Sequence, residues 1–405
     1  MKYPYKFHIA LDGNGLNGLE GRAGVCLFQY DPVTKEHTYS VKFYDGMSGG
    51  HAVSISPDYK IGYLGSTSQQ LMFYNTTSLE EIGRVSTLRF ESVDTSIKGS
   101  THLVWLNNSE CIASLGEGFW KINVNNLGKP ERLGDHLVKT PHSIKQTVSK
   151  RYLVYGSMDH PSRGEACEVG IFDLSSGIAK RVSLPTTCWH VICDDKEDKF
   201  YALSFRVNPQ EKDNWQDWSI AHMKEYVYEI DAATGEVIRH WSASQDTPAH
   251  INSDVCLSDK ELIYCNGASA TIVMIDRRNF SSYRILDTKP NLLQRFRSHR
   301  QRVRTIIDSL SRGSLFDYGH HHLRAFRVSR GSIMDSVYAC QLSADQSLLF
   351  TANRGTNSVT IYSYPECKQI KTFAMPSLQK FDKSLSWWED PRLGFHHSKL
   401  ISPIE

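Results

Sequence analysis

Short runs of alternating apolar and polar residues dominate the chain, and each is closed within a few positions by turn residues. Examples are Ser56-Pro57-Asp58 after His51-Ala-Val-Ser-Ile-Ser, Asn107-Asn108-Ser109, Leu174-Ser-Ser-Gly177 and Ala232-Ala-Thr-Gly235. Alternation with period two puts successive side chains on opposite faces, as in a β-strand, and Gly, Pro, Asn, Asp and Ser supply the reversals between strands. Few stretches have helical spacing. The pattern predicts an all-β fold.

The strands recur in related units. Their first members read His51-Ala-Val-Ser-Ile-Ser, Thr101-His102-Leu-Val-Trp-Leu, Pro141-His142-Ser-Ile-Lys-Gln, Trp189-His190-Val-Ile-Cys, Ala249-His250-Ile-Asn-Ser-Asp-Val and Ser336-Val-Tyr338-Ala-Cys-Gln-Leu. A polar turn follows each, then a second apolar strand such as 152–155 or 347–350, and then a third and a fourth, as at 358–362 and 368–373. Four strands repeating every roughly 40 to 50 residues is the signature of a β-propeller.

Six units are countable in this way, and the two chain ends supply a seventh. His397-Ser-Lys-Leu-Ile-Ser-Pro403 matches His51-Ala-Val-Ser-Ile-Ser-Pro57, each histidine standing six places before proline. No strands follow it, whereas three unmatched ones open the chain near Phe7, Gly24 and Thr38. The expected architecture is a seven-bladed β-propeller closed by N- and C-terminal strands in one blade, which removes free sheet edges. A single domain is expected over 1–405, with blades starting near 51, 102, 142, 190, 250, 337 and 396.

The last complete unit, Leu342-Ser-Ala-Asp-Gln-Ser-Leu-Leu-Phe-Thr-Ala-Asn-Arg-Gly-Thr-Asn-Ser-Val-Thr-Ile-Tyr362, resembles the YVTN repeat propellers, a group similar to the lactonases and to the propeller of nitrous oxide reductase. The match is close in this unit and at His51 and loose elsewhere. The resemblance implies the fold; through its metal-using members it also brings oxygenase, lyase and cyclase chemistry into view.

If the first strand of each unit is innermost, its opening residue lies at one mouth of the central channel. Histidine fills that place in six of seven units, as His51, His102, His142, His190, His250 and His397, and Tyr338 holds the seventh. A lone histidine at a strand start is more often a satisfied polar residue than a ligand. Six converging on one axis bring their lone pairs together, and a divalent transition metal is the usual occupant. An all-nitrogen set suits copper, iron(II) or zinc, which the sequence does not rank, better than calcium or magnesium. Three or four histidines fill a first coordination shell, leaving others for water or substrate.

Strands alternate in direction within a blade, so connections from second to third strand, and from fourth strand to the next blade, share the histidine face. The long ones fall there: 158–168, 206–225 with Trp215, Trp218 and His222, 290–335, and the approach through Trp387-Trp388. Long loops gathered at one end of a rigid scaffold usually build its site. The 290–335 insertion opens with Leu292, Leu293, Phe296, Val303, Ile306, Ile307 and Leu310 at helical spacing, and nine arginines face two aspartates between 291 and 330. A solvated helix face explains such charges; a helical lid whose arginines, Arg300 and Arg304 among them, clamp a carboxylate or phosphate is the sharper expectation. His320-His321-His322 lies in the same insertion, with His320 a substrate contact and His322 a gate or catalytic residue. Tyr338 is a candidate acid-base group or substrate contact.

Charge and composition narrow the partners. A net charge of +2 over 405 residues excludes a general polyanion-binding role, so no nucleic acid is expected. Nine cysteines without a CxxC pair suggest reduced thiols in a cytoplasmic protein. No stretch approaches the roughly 20 apolar residues of a membrane span or has signal-peptide form.

These features together predict a metal-dependent enzyme acting on a small organic, anionic substrate held between the ring, the lid and Trp215 and Trp218. The first alternative is a metal-independent lactonase-like hydrolase or cycloisomerase. The second is a protein-interaction scaffold, which has no need of inward histidines.

Overall fold

A computed structural model describes residues 3–11, 22–47, 49–66, 68–90, 100–159, 164–206, 226–243, 252–267, 270–288, 292, 337–354, 356–376, 380–381, 383 and 395–403. These residues form seven four-stranded sheets, each ordered from its first strand outward. The first strands are Gly50–Ile55, Leu103–Trp105, Pro141–Gln146, Thr187–Cys193, Asn252–Leu257, Val337–Leu342 and Phe395–Ile401, which we number as blades 1 to 7. They touch one another in sequence around a closed circle, blade 7 meeting blade 1. The molecule is a seven-bladed β-propeller.

Blade 7 takes its innermost strand from the C-terminal segment and its outer three from Tyr5–Leu11, Gly24–Tyr30 and His37–Phe43. Phe7 pairs with Leu400 and His8 with Lys399, so the ring is closed by backbone hydrogen bonds between the two ends of the chain. That pairing is the one implied by the match of His397 with His51.

The core lies between blades. One apolar cluster fills each of the seven seams: Tyr63 and Phe73 of blade 1 pack on Cys111 and Trp120 of blade 2, and Ala10 and Leu27 of blade 7 pack on Leu64 and Met72 of blade 1. The remaining five seams are built the same way. Both faces of a blade are therefore buried, which explains second strands as uniformly apolar as Tyr152–Ser157.

The turns repeat along with the strands. In blade 1 Ser56 Oγ donates to Asp58 Oδ1 at 2.7 Å, Tyr59 N donates to Ser56 O at 2.9 Å, and Tyr59 has φ 62°. Blade 6 repeats this with Ser343, Asp345 and Gln346, at 2.5 Å, 2.9 Å and φ 54°. A left-handed residue after a tight turn matches the twist of the flanking strands, and the Ser-x-Asp side chains fix the turn from within.

The helical lid expected over 290–335 is not borne out: except for Leu292, that stretch up to the start of blade 6 lies outside the described residues. The described helical elements are single turns, Thr87–Arg89 and Val124–Asn126. Among the described residues no helix is long and apolar enough to cross a membrane.

Candidate metal centre at the propeller axis

The innermost strands are not regular at their openings. Pairing with the second strand slips between Gly50 and Ala52, between Pro141 and Ile144, and between Val337 and Ala339. In blade 7 the irregularity falls between Phe395 and Ser398. A bulge adds an unpaired residue, bends the strand and re-aims a side chain. These bulges include His51, His142, Tyr338 and His397. In blade 4 the bulge takes Trp189 and His190 follows it; in blade 2 His102 immediately precedes the strand.

Second-strand glycines let these openings come close to the axis. A Cβ on Gly65 would stand 1.9 Å from the Thr101 carbonyl oxygen, and one on Gly156 would stand 2.1 Å from that of Trp189. No side chain fits there, so glycine is what allows the segments carrying His102 and His190 to pack against blades 1 and 3. The first contact is pinned by the Tyr63 hydroxyl, which donates to Ser100 O at 2.5 Å, and by Ser100 Oγ, which donates to the His102 carbonyl.

The outcome is five imidazoles at one point on the axis. Ring centroids lie 4.9 Å apart for His51 and His142, 5.1 Å for His142 and His190, 5.0 Å for His190 and His397, and 4.9 Å for His397 and His51. His102 packs on this four-membered circuit, 4.9 Å from His142 and 5.3 Å from His51 and from His397. Two trios, His51 with His102 and His142, and His102 with His190 and His397, each bring one nitrogen per ring within 4.8 Å of the others. Imidazoles sharing one metal ion place their nitrogens ~3–4 Å apart, so each trio offers a nitrogen donor set close to ligand spacing.

Their electrostatics also suit a cation. Burial foremost, then His142, His397 and Lys145, holds His102 well below the usual histidine range. Burial, followed by His397, lowers His142 to about 3, against an opposing contact with the Trp189 backbone. These rings are neutral at physiological pH, which is the ligating form. His102 Nε2 is buried without a hydrogen-bond partner among the described residues, and an orphaned imidazole nitrogen inside a nitrogen cluster is what a metal ligand looks like in the absence of its ion. The residues present therefore fit a transition metal.

Asp254 stands beside the cluster. One of its oxygens lies 3.6 Å from His397 Nδ1 and the other accepts the Cys340 backbone N–H at 3.3 Å. Tyr338 packs against His397 with ring centroids 5.9 Å apart, and the Arg354 guanidinium lies 5.0 Å from the Tyr338 ring centre.

A chamber of about 490 Å³ leads away from the cluster along the axis. It runs from His102 and His397 toward Pro57, so it occupies the half of the channel on the short-turn side. Lys145, Asp254 and Lys399 line it, all from innermost strands. Burial, then Lys145, pulls Lys399 below the usual lysine range. The expectation that the long-loop face builds the site thus omits a chamber on the opposite side of the ring.

Of the expected metal residues, the structure brings His51, His102, His142, His190 and His397 together, with Tyr338 at the edge. His250 lies outside the described residues; the blade 5 bulge, between Asn252 and Asp254, holds Ser253. Trp215, Trp218, Arg300, Arg304, His320 and His322 also lie outside the described residues. Asp254, Lys145 and Lys399 are absent from the sequence-based candidates. Their available signal is a charged residue inside an otherwise apolar innermost strand, as in Pro-His-Ser-Ile-Lys145 and His397-Ser-Lys399.

The seven-bladed propeller fold is shared with solved structures. Solved structures that resemble it include a candidate 6-phosphogluconolactonase from Bacteroides fragilis, with TM-score 0.57 and 12% identity over 98% of each chain. Another is the dihydro-heme d1 dehydrogenase NirN in complex with DHE, with TM-score 0.51 and 11% identity, covering 91% of this chain and 73% of that one. At such identities the likeness concerns the fold alone. No family model matches the chain, and no curated protein sequence does.

Proposed function

We propose that the propeller is a metalloenzyme whose axial histidines hold a transition-metal ion, copper, iron(II) or zinc, next to a chamber for a small organic substrate. The observation that carries this is the convergence of five imidazoles from five blades, two of them held neutral by burial and one with an orphaned Nε2. Building such a cluster requires bulges in several strands and glycines at two seams, and a fold without use for it would fill the axis with apolar side chains.

The chain's own groups assign roles. His51, His102, His142, His190 and His397 supply the donors, more than one ion needs in its first shell, so one or two remain to bind water or substrate. Asp254, 3.6 Å from His397 Nδ1, orients that ring. Tyr338, with Arg354 over its ring, offers a phenol at the edge of the cluster for proton transfer or substrate contact. A metal ion, when bound, supplies Lewis-acid or redox chemistry to whatever the chamber presents.

The test is calorimetric titration of EDTA-treated, tag-free protein with Cu(II), Zn(II) and, under anaerobic conditions, Fe(II). One of the three is expected to bind at a fixed stoichiometry with submicromolar affinity. The absence of saturable binding by all three overturns the proposal.

A second reading is supported by the full-length similarity to the candidate 6-phosphogluconolactonase: a metal-independent lactonase-like hydrolase in which the histidines act on the substrate directly. Activity on a lactone that survives EDTA and dialysis distinguishes it.

A further inference from the structure

Lys145 and Lys399 line the axial chamber from different blades, 3 and 7. Their backbones pair within their blades, but among the described residues neither ammonium group makes a hydrogen bond or ion pair. Lys399 is exposed although it stands on the innermost strand of blade 7, as suits a side chain that lines the chamber. Two like charges facing one internal space repel, Asp254 is the one opposing charge among the described lining residues, and a fold tolerates the net positive space where an anion enters between the lysines.

Three further features point to the same ligand. Asp254 is the one carboxylate among the described residues lining the chamber, and it is engaged with His397 and the backbone of Cys340. Ser398 Oγ and Trp105 Nε1 belong to residues lining the chamber and are buried without a hydrogen-bond partner among the described residues. Ammonium groups, an indole N–H and a hydroxyl are donors, so the complement is rich in acceptors. The remaining wall is largely aliphatic, including Val53, Ile55, Leu103 and Ile192, and the volume of about 490 Å³ is that of a small-molecule site.

We infer that the axial chamber is a binding site for a small organic anion, an oxyanion headgroup on an apolar body, held by Lys145 and Lys399 at the histidine cluster and entering from the short-turn face. This goes beyond the metalloenzyme proposal, on which it rests only for the ligand's role as substrate. It assigns the anion to the chamber lysines, on the opposite side of the ring from the arginine-rich insertion. Charge-assisted hydrogen bonds from two ammonium groups fix the headgroup, and the aliphatic wall takes the body.

The test is calorimetry on EDTA-treated protein with three probes of one chain length: hexanoate, hexyl phosphate and the neutral hexanamide. At least one anion is expected to bind about tenfold or more tightly than hexanamide, and comparing the two anions identifies the headgroup. The Lys145→Met/Lys399→Met double variant, which keeps the aliphatic stems, should lose that preference, and Lys145→Arg/Lys399→Arg should retain it. If the double methionine variant does not fold, the single Lys145→Met variant and the loss of the preference in high salt provide the same test. Equal binding of hexanamide, or an unchanged preference in folded methionine variants, overturns the inference. Metal titration of the same preparation keeps the two proposals apart. A preserved anion preference without metal binding sinks only the metal centre; metal binding without an anion preference sinks only the chamber site.

Discussion

His51 Nε2 stands 2.9 Å from His142 Nε2, with the two ring planes at 90°. These residues belong to blades 1 and 3, which are not neighbours, so the contact reaches across the axis. In metal-free protein one ring donates its Nε2–H to the other's lone pair; when both ligate an ion through Nε2 that ring carries its proton on Nδ1 instead. Nitrogen-15 histidine spectra of EDTA-treated protein should therefore show a protected imidazole N–H that is absent in His51→Ala and disappears on adding Zn(II). An imidazole signal indifferent to Zn(II) argues against shared ligation by this pair.

Asp254 acts through His397. Asp254→Asn keeps the shape and removes the charge 3.6 Å from His397 Nδ1. Loss of such an outer partner typically weakens metal binding about 10- to 100-fold. The same drop is expected here by calorimetry, with an unchanged melting temperature in EDTA. Equal losses of stability and affinity would instead mark Asp254 as a structural residue of blade 5.

Gly65 sets the approach of His102. Gly65→Ala drives a methyl into the Thr101 carbonyl, which an added Cβ would meet at 1.9 Å. Overpacking of this kind costs about 1–3 kcal/mol. Chemical denaturation should show that loss, and because the displaced backbone carries His102, metal affinity should fall as well. A variant with wild-type metal affinity would show that the seam and the cluster are independent.

Acid sensitivity should come partly from a histidine outside the cluster. His8 is fully buried on blade 7, 3.3 Å from the Tyr74 hydroxyl, and burial, with Lys6 second, lowers it from 6.5 to about 3. Below about pH 6.5 the unfolded chain binds a proton at His8 that the folded chain refuses until about pH 3, so stability falls as pH drops through that window and is full above it. By pH 4 the penalty is on the order of 2–3 kcal/mol. His8→Leu should recover stability relative to wild type at pH 4 in EDTA while differing much less at pH 7. Parallel pH profiles of urea midpoints would contradict this assignment.

What the sequence made legible was whatever repeats. Ser56-Pro-Asp58 and Ser343-Ala-Asp345 announce their turns because side chain and backbone close them locally, and His397 identifies the closing strand because it copies His51 with its proline. Five ring positions followed from the same alignment. In blade 5 the bulge falls at Ser253, fixed by pairing with Glu261–Asn266, while Ala249-His250 lies outside the described residues. Lys145, Lys399 and Asp254 were not legible, since a single charge in a strand reads as solvent-facing until the topology turns that edge of the blade toward the axis. The short-turn face carries no signal in loop length, because the chamber there is made by strands.

The most direct measurement is the metal content of protein produced without a histidine tag, by plasma mass spectrometry, for wild type and for His102→Ala/His190→Ala. Copper, iron or zinc at a fixed near-integral ratio per chain in wild type, falling to background in a folded double variant, is the predicted result. Wild-type protein that is catalytically active and metal-free, or a double variant that retains the full complement, would contradict a metal centre on the propeller axis.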